Sequence, residues 1–237
     1  MTSMSTVRTT PSPHPVGLGL DSERARYRMV ECLANGLITD HQVLDAMAVV
    51  PRHLFIEQGL ASRAYEDVAL PIGQAQTISK PSIVARMIEL ALMPLEIADR
   101  ASARVLEIGT GCGYQAAVLG QVFGDVVSVE RIAALHQLAR TNLDQVEVPA
   151  RMRLVFGDGH LGLINSAPFH AIVLAAALDR EIPEVLLHHI RIGGRLVAPV
   201  SVEGGQRLHV VDRSSQSEWH LSELDAVRFV PMMGGTS

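Results

Sequence analysis

The chain has 237 residues, 48% of them apolar and 19% charged, which is enough to bury a core and excludes a disordered polymer. A formal charge of −5 argues against a nucleic-acid-binding face, although a local basic patch stays open, and two cysteines are too few for a disulfide framework or a cysteine zinc site. The low cysteine count is read as a reducing cytoplasm, and no apolar run reaches bilayer length, so a soluble protein is expected, with neither membrane nor nucleic acid as partner.

The opening "MTSMSTVRTTPSPHPVGLGL" has no apolar segment and predicts a flexible tail over 1–20. A single domain follows over 21–237, made of a helical segment (21–80) and an α/β core (81–237). Asp21 to Leu37 carries apolar residues at helical spacing and stops near Gly36. Asp40 can cap a short helix over His41 to Val49, which ends before Pro51. The stretch "PRHLFIEQGLASRAYEDVALPIGQAQTISKP" is long and irregular, a kind of segment often tied to function. Pro81 then opens an apolar helix to about Met93, with Ser79 where a cap belongs.

From Arg104 strands and helices alternate. Strands are predicted at 104–108, 126–130, 152–156, 170–175 and 195–200, and helices near 114–123, 132–143 and 183–190. "AIVLAAA" is apolar throughout and "VVSV" is apolar but for one serine, as expected of strands covered on both faces. Such alternation predicts a doubly wound, mostly parallel sheet of Rossmann-like type. "QRLHVVDRS" and "WHLSELDAVRFV" have no helix between them and predict an antiparallel pair at the C-terminal edge.

The core opens on "VLEIGTGCGYQAAVL", where the glycines fall as GxGxG at 109, 111 and 113. A dinucleotide fingerprint needs GxGxxG, and Tyr114 stands where its third glycine would be. No Gly-Lys-Ser/Thr follows, which excludes a phosphate-binding P-loop. The glycines let a ligand approach the backbone at a helix start. Glu130 ends the next strand, where a carboxylate can hold ribose hydroxyls, and Asp158 ends the third. Glycine for tight packing, or a solvated strand-end acid, would explain each singly. Together they outline a crevice at the carboxyl edge of the sheet.

With these blocks on the page, the sequence resembles the protein-L-isoaspartate O-methyltransferases, within the S-adenosylmethionine-dependent class. The resemblance runs from about Tyr27 to Pro231 through "VPRHLF", "AYEDVALPIGQAQTISKP", "VLEIGTGCGYQAAVL", "VERI", "GDGHLG", "APFHAI" and "VRFVP", in family order. It implies that Gly109, Gly111 and Gly113 lie against the methionine part of S-adenosylmethionine, or of its product S-adenosylhomocysteine, that Glu130 takes the ribose hydroxyls, and that Asp158 with Gly159 borders the adenine. Thr77, Ile78, Glu107, Thr110 and Arg131 would belong to the same cofactor site. Ser79 would be the active-site residue, with Ala175 and Ala176 beside the substrate. The implied substrate is the free α-carboxylate of L-isoaspartyl residues in damaged proteins and peptides, with D-aspartyl residues left open as a second substrate. The implied enzyme is a monomer that needs no metal and starts the repair of those chains.

The chemistry is consistent with a site lacking a His–Asp dyad. A carboxylate with a pKa near ~3.5 is already ionised at neutral pH, so it needs no general base. Held in line with a sulfonium methyl in a dry site, it can attack unaided. Ser79 and the free N–H groups of the 81–93 helix could grip it, while a mere N-cap role for Ser79 stays open. Arg52 and His53 are read as organising the N-terminal segment, and Asp67 as either framing the cleft or capping. Adjacent His188 and His189 do not face one another on a helix, so they form no metal pair. Lys80, His170, Ala175 and the longer "LDREIP" loop depart from the family pattern, and are expected around the substrate cleft. Two other functions stay open: methylation of another carboxylate, and a cofactor-binding regulatory protein without turnover.

Overall fold

A computed structural model of the protein describes residues 19–161 and 163–237. The predicted tail therefore lies outside the described residues, except Gly19 and Leu20, which already belong to the first helix. That helix, α1 (Gly19–Ala34), is followed by α2 (His41–Val49), whose cap Asp40 accepts the N–H groups of Gln42 and Val43. Two 3₁₀ turns then lead into a small hairpin, β1 (Leu70–Pro71) and β2 (Thr77–Ile78), in which Leu70 pairs with Ile78. Helix α3 (Pro81–Leu92) starts on Pro81, whose missing N–H costs nothing at a first helical position.

After the short α4 (Ile97–Arg100) come β3 (Arg104–Ile108), α5 (Tyr114–Val122), β4 (Asp125–Glu130), α6 (Ala133–Leu143) and β5 (Arg151–Phe156). They are followed by β6 (Phe169–Leu174), β7 (Leu178–Asp179), α7 (Glu184–His189), β8 (Ile190–Val202), β9 (Gly205–Arg213) and β10 (Trp219–Val227). Among the described residues eight strands form one sheet in the order β10-β9-β8-β6-β3-β4-β5, with β7 beside β8. Pairing is parallel from β5 to β8 and antiparallel between β8, β9 and β10.

The apolar strands are explained by what covers them. Val105, Val126, Ala171 and Val173 face a cluster with α1, α2, α3 and α5, while their neighbours Leu106, Val127, Ile172 and Leu174 face a second cluster with Leu186 and Ile190. Both faces are dry, so apolar residues fill both, and the polar pair Glu107 and Ser128 is buried with a hydrogen bond between them. Strand β8 begins five residues earlier than the periodicity predicts. "IRIGG" reads as a turn, and Gly193 does take a positive φ of 79°, but the segment runs on in extended form after an irregularity against β6. The strand order reverses at β3, with β4 on one side and β6 on the other, which opens a crevice at their carboxyl ends.

Candidate active site

The crevice is shaped by the loop after β3. Gly109, Gly111 and Gly113 all take positive φ (97°, 57° and 91°). At Gly113, the residue before α5, a Cβ would also come 3.3 Å from the Ala139 carbonyl of α6. A side chain there would meet both backbone strain and a steric block. The loop is tied to β4: the Gly109 and Thr110 N–H groups donate to Val129 O at 2.8 and 3.2 Å. Glu130, buried at the end of β4, accepts the Gly111 N–H at 2.8 Å through Oε2 and the Ile132 N–H at 2.9 Å through Oε1.

A cavity with an open mouth lies over this loop. Thr77, Ile78 and Ser79 line it from the β2 hairpin, Gly109, Thr110 and Gly111 from the loop, and Glu130 and Arg131 from β4. Gly159, Ala175 and Ala176 complete the set of sequence-predicted residues that meet there. The Ser79 hydroxyl makes no hydrogen bond among the described residues, and Lys80, not Ser79, occupies the N-cap position of α3. The cap reading of Ser79 is thereby overturned.

The carboxylate grip expected from free helix N–H groups also fails. Pro81 has none, the Ser82 N–H donates to Asp67 Oδ1 at 2.8 Å, and the Ile83 and Val84 N–H groups return to Lys80 O. Of the two roles open to Asp67, it fills the capping one, from outside the helix.

The model of the protein-L-isoaspartate(D-aspartate) O-methyltransferase family matches residues 24–237. The chain belongs to this family. It is 55% identical over 228 residues to the protein-L-isoaspartate O-methyltransferase of Burkholderia ambifaria, covering 95% of this chain and 71% of that one. The enzyme of the same name from Burkholderia cenocepacia is 56% identical over 224 residues, 93% and 70% of the two chains. Among solved structures, one protein-L-isoaspartate O-methyltransferase superposes with a TM-score of 0.76 at 26% identity, over 88% of this chain and 66% of that one. A candidate member from Plasmodium falciparum, crystallised with S-adenosyl-L-homocysteine, gives 0.77 at 20% identity over 88% and 98%, a likeness of fold.

Three residues that the family resemblance assigns to the cofactor do not line the cavity: Gly113, Glu107 and Asp158. Gly113 serves the turn. Glu107 is fully buried on β3, and burial pushes its carboxyl up to about 8, against the Ser128 hydroxyl that donates to Oε2. Its Oε1, and both polar atoms of the neighbouring Gln115 side chain, have no hydrogen-bond partner within the described residues. Gln115 does line the cavity.

Asp158 turns its carboxylate to the end of the chain. Oδ2 accepts the Gly235 N–H at 2.6 Å and Oδ1 the His160 N–H at 2.9 Å; desolvation raises its pKa, but these bonds and the His160 side chain together outweigh it and lower the pKa. The same segment is held by Arg131, whose Nε donates to Gly235 O at 2.8 Å. Ahead of it, Val230 and Met232 bracket Ala177 through backbone hydrogen bonds of 2.8 and 2.7 Å. Residues 230–233 thus form one wall of the cavity.

One expected member of the cleft is elsewhere. His170 sits near the start of β6, at the edge of the sheet opposite the crevice, where its Nδ1 accepts the Arg104 N–H at 3.0 Å. Its pKa is lowered by burial and by Arg191 and Arg104. The family departure at this position belongs to sheet packing. Sequence reasoning missed Gln115, Ile72 and the 230–233 wall. Gln115 had a signal, being an amide side chain just after the glycine loop and ahead of the apolar run Ala116–Leu119. The wall had none, because it reaches the cavity only through the fold.

Proposed function

We propose that this protein transfers the methyl group of S-adenosylmethionine to the free α-carboxylate of L-isoaspartyl residues in damaged proteins and peptides. What carries the reading is the meeting of two features at one cavity: the family's glycine loop with Glu130, and Ser79 with an unengaged hydroxyl. The residues suit the cofactor. Glu130 offers a buried carboxylate to hydroxyl donors. Beneath the loop, Gln115 lines the cavity with a buried side-chain amide that has no hydrogen-bond partner among the described residues, as expected beside an amino-acid moiety.

S-adenosylmethionine supplies an electrophilic methyl group on a sulfonium. The chain's own part is to bind, orient and dry. Gly109 to Gly111 and Glu130 hold one side, while Ile78, Ala175, Ala176 and Val230 keep water from the other. The Ser79 hydroxyl donates to one oxygen of the substrate carboxylate and turns the second oxygen toward the methyl group. With the cofactor bound, the oxygen–carbon bond would form as the carbon–sulfur bond breaks, and no residue would need to move a proton. Proximity and exclusion of water account for the acceleration, without a general base. The methyl ester is a better acyl donor than the carboxylate, which starts repair. Two unpaired cysteines support a reducing compartment, the cytoplasm, where the enzyme acts as a monomer.

The test is methyl transfer from labelled S-adenosylmethionine to paired peptides that differ only in an isoaspartyl or aspartyl residue. Label in the isoaspartyl peptide alone is expected. Equal labelling of both would mark a general carboxyl methyltransferase, and cofactor binding without labelling of either would mark a regulatory protein.

A further inference from the structure

Ser79 is held by none of its own side-chain atoms, so its position is inherited from its neighbours. On one side Ile78 pairs with Leu70 across the β1–β2 hairpin. On the other side Ser82 is gripped twice by Asp67: its N–H donates to Oδ1 and its hydroxyl to Oδ2, both at 2.8 Å. Asp67 is three residues before Leu70, so the contacts close a small ring. The chain runs from Asp67 to Leu70, crosses the hairpin to Ile78, passes through Ser79 to Ser82, and returns to Asp67.

Beneath this ring lies Arg52, fully buried. Its Nε donates to Ala64 O at 2.8 Å and its Nη2 to Val68 O at 3.4 Å, on either side of Asp67's stretch. The guanidinium carbon lies 4.9 Å from the ring centre of Tyr114, the first residue of α5 after the glycine loop. The segment bearing Asp67 is thereby referenced to the cofactor loop. The Lys80 ammonium, 3.6 Å from Asp67 Oδ2 with both side chains about half exposed, adds little to this anchoring.

We infer that Asp67 is a positioning residue for Ser79, its two bonds to Ser82 fixing where the Ser79 hydroxyl stands over the cavity. The inference rests on the proposed role of Ser79. A cap that served only α3 would contribute stability and leave the chemistry alone. A positioning residue loses its effect once the group it positions is gone. The two are separable because Asp67 is half exposed, and its replacement leaves the core intact.

The experiment compares kcat on an isoaspartyl peptide for the parent, Asp67→Ala, Asp67→Asn, Ser79→Ala and the Asp67→Ala/Ser79→Ala double variant. Melting temperatures and S-adenosylhomocysteine affinities are measured on the same samples. Asp67→Ala is expected to lower kcat by up to about a hundredfold, the scale of small misplacements at a reacting centre. Asp67→Asn keeps an acceptor for the Ser82 N–H and should recover most of that loss. In the Ser79→Ala background, Asp67→Ala should cost no further turnover, because it acts through an absent group. The inference is overturned by parent kcat in Asp67→Ala, or by the same fold-loss in both backgrounds. Parent turnover in Ser79→Ala would overturn the role of Ser79 together with this inference, whereas a parent enzyme that labels no isoaspartyl peptide would overturn the proposed function itself.

Discussion

Replacing Glu130 by Gln changes one oxygen for an amide and keeps the shape of the side chain. In the native protein the two carboxylate oxygens each accept a backbone N–H, from Gly111 at 2.8 Å and Ile132 at 2.9 Å. A glutamine has one acceptor oxygen, so one of those N–H groups must face an NH₂ donor. Leaving a buried N–H unsatisfied costs roughly 1–3 kcal/mol, which for a domain of this size lowers Tm by about 2–4 °C per kcal/mol. The cofactor loses more than this loop geometry. A hydrogen bond to a charged acceptor contributes about 1.5–3 kcal/mol, and the ribose hydroxyls would meet a neutral group. Dissociation of S-adenosylhomocysteine should therefore rise roughly 10- to 150-fold, at about 1.4 kcal/mol per tenfold. Titration calorimetry measures the affinity, and thermal unfolding without ligand measures the loop cost separately. An affinity within threefold of the parent, at whatever Tm, would remove Glu130 from the cofactor site.

Ser79→Ala should reduce kcat by the equivalent of about 1.5–4 kcal/mol while leaving S-adenosylhomocysteine affinity nearly unchanged, since one orienting donor is lost. The residual rate should keep the parent pH dependence; an altered profile would reveal a proton transfer that the mechanism excludes. Glu107→Gln should alter the pH dependence of stability. Because the folded-state pKa is raised from 4.5 to about 8, its contribution is fully present below pH 4.5 and is lost as pH rises through 8. The slope is about 1.4 kcal/mol per pH unit, and Glu107→Gln should flatten it. An unchanged Tm–pH curve would refute that ionisation. Gly159→Ala would place a Cβ 2.2 Å from Ile108 Cγ2, at the cavity rim. It should destabilise by roughly 1–3 kcal/mol and weaken cofactor binding; a parent-like Tm and affinity would show the rim to be slack.

Most of the core was legible because its determinants are local. Arg104–Ile108, Tyr114–Val122 and Ala133–Leu143 are each specified by their own apolar pattern, and the glycine loop is a contiguous motif. What was not legible depends on distant partners. Ser79 is a plausible cap until Asp67, fifteen residues before Ser82, is seen to take that duty. His170 looks like a cleft residue by its place after "APF", yet the strand carries it to the far edge. The Met232 and Met233 wall is visible only once the chain has crossed the whole sheet and returned.

A serine without a charge to help it has a consequence for selectivity in a crowded cell. Arg131 is the one cationic side chain lining the cavity among the described residues, and its Nε is committed to Gly235 O. The positive end of α3 is occupied by Asp67. A strong anion clamp would be saturated by the ordinary aspartates, glutamates and chain termini that every protein carries. A single neutral hydroxyl, in the role proposed for Ser79, would retain none of them, so a carboxylate would be held only when its backbone also fits. The extra main-chain methylene of an isoaspartyl residue, and not its charge, then becomes the feature that decides which proteins are mended.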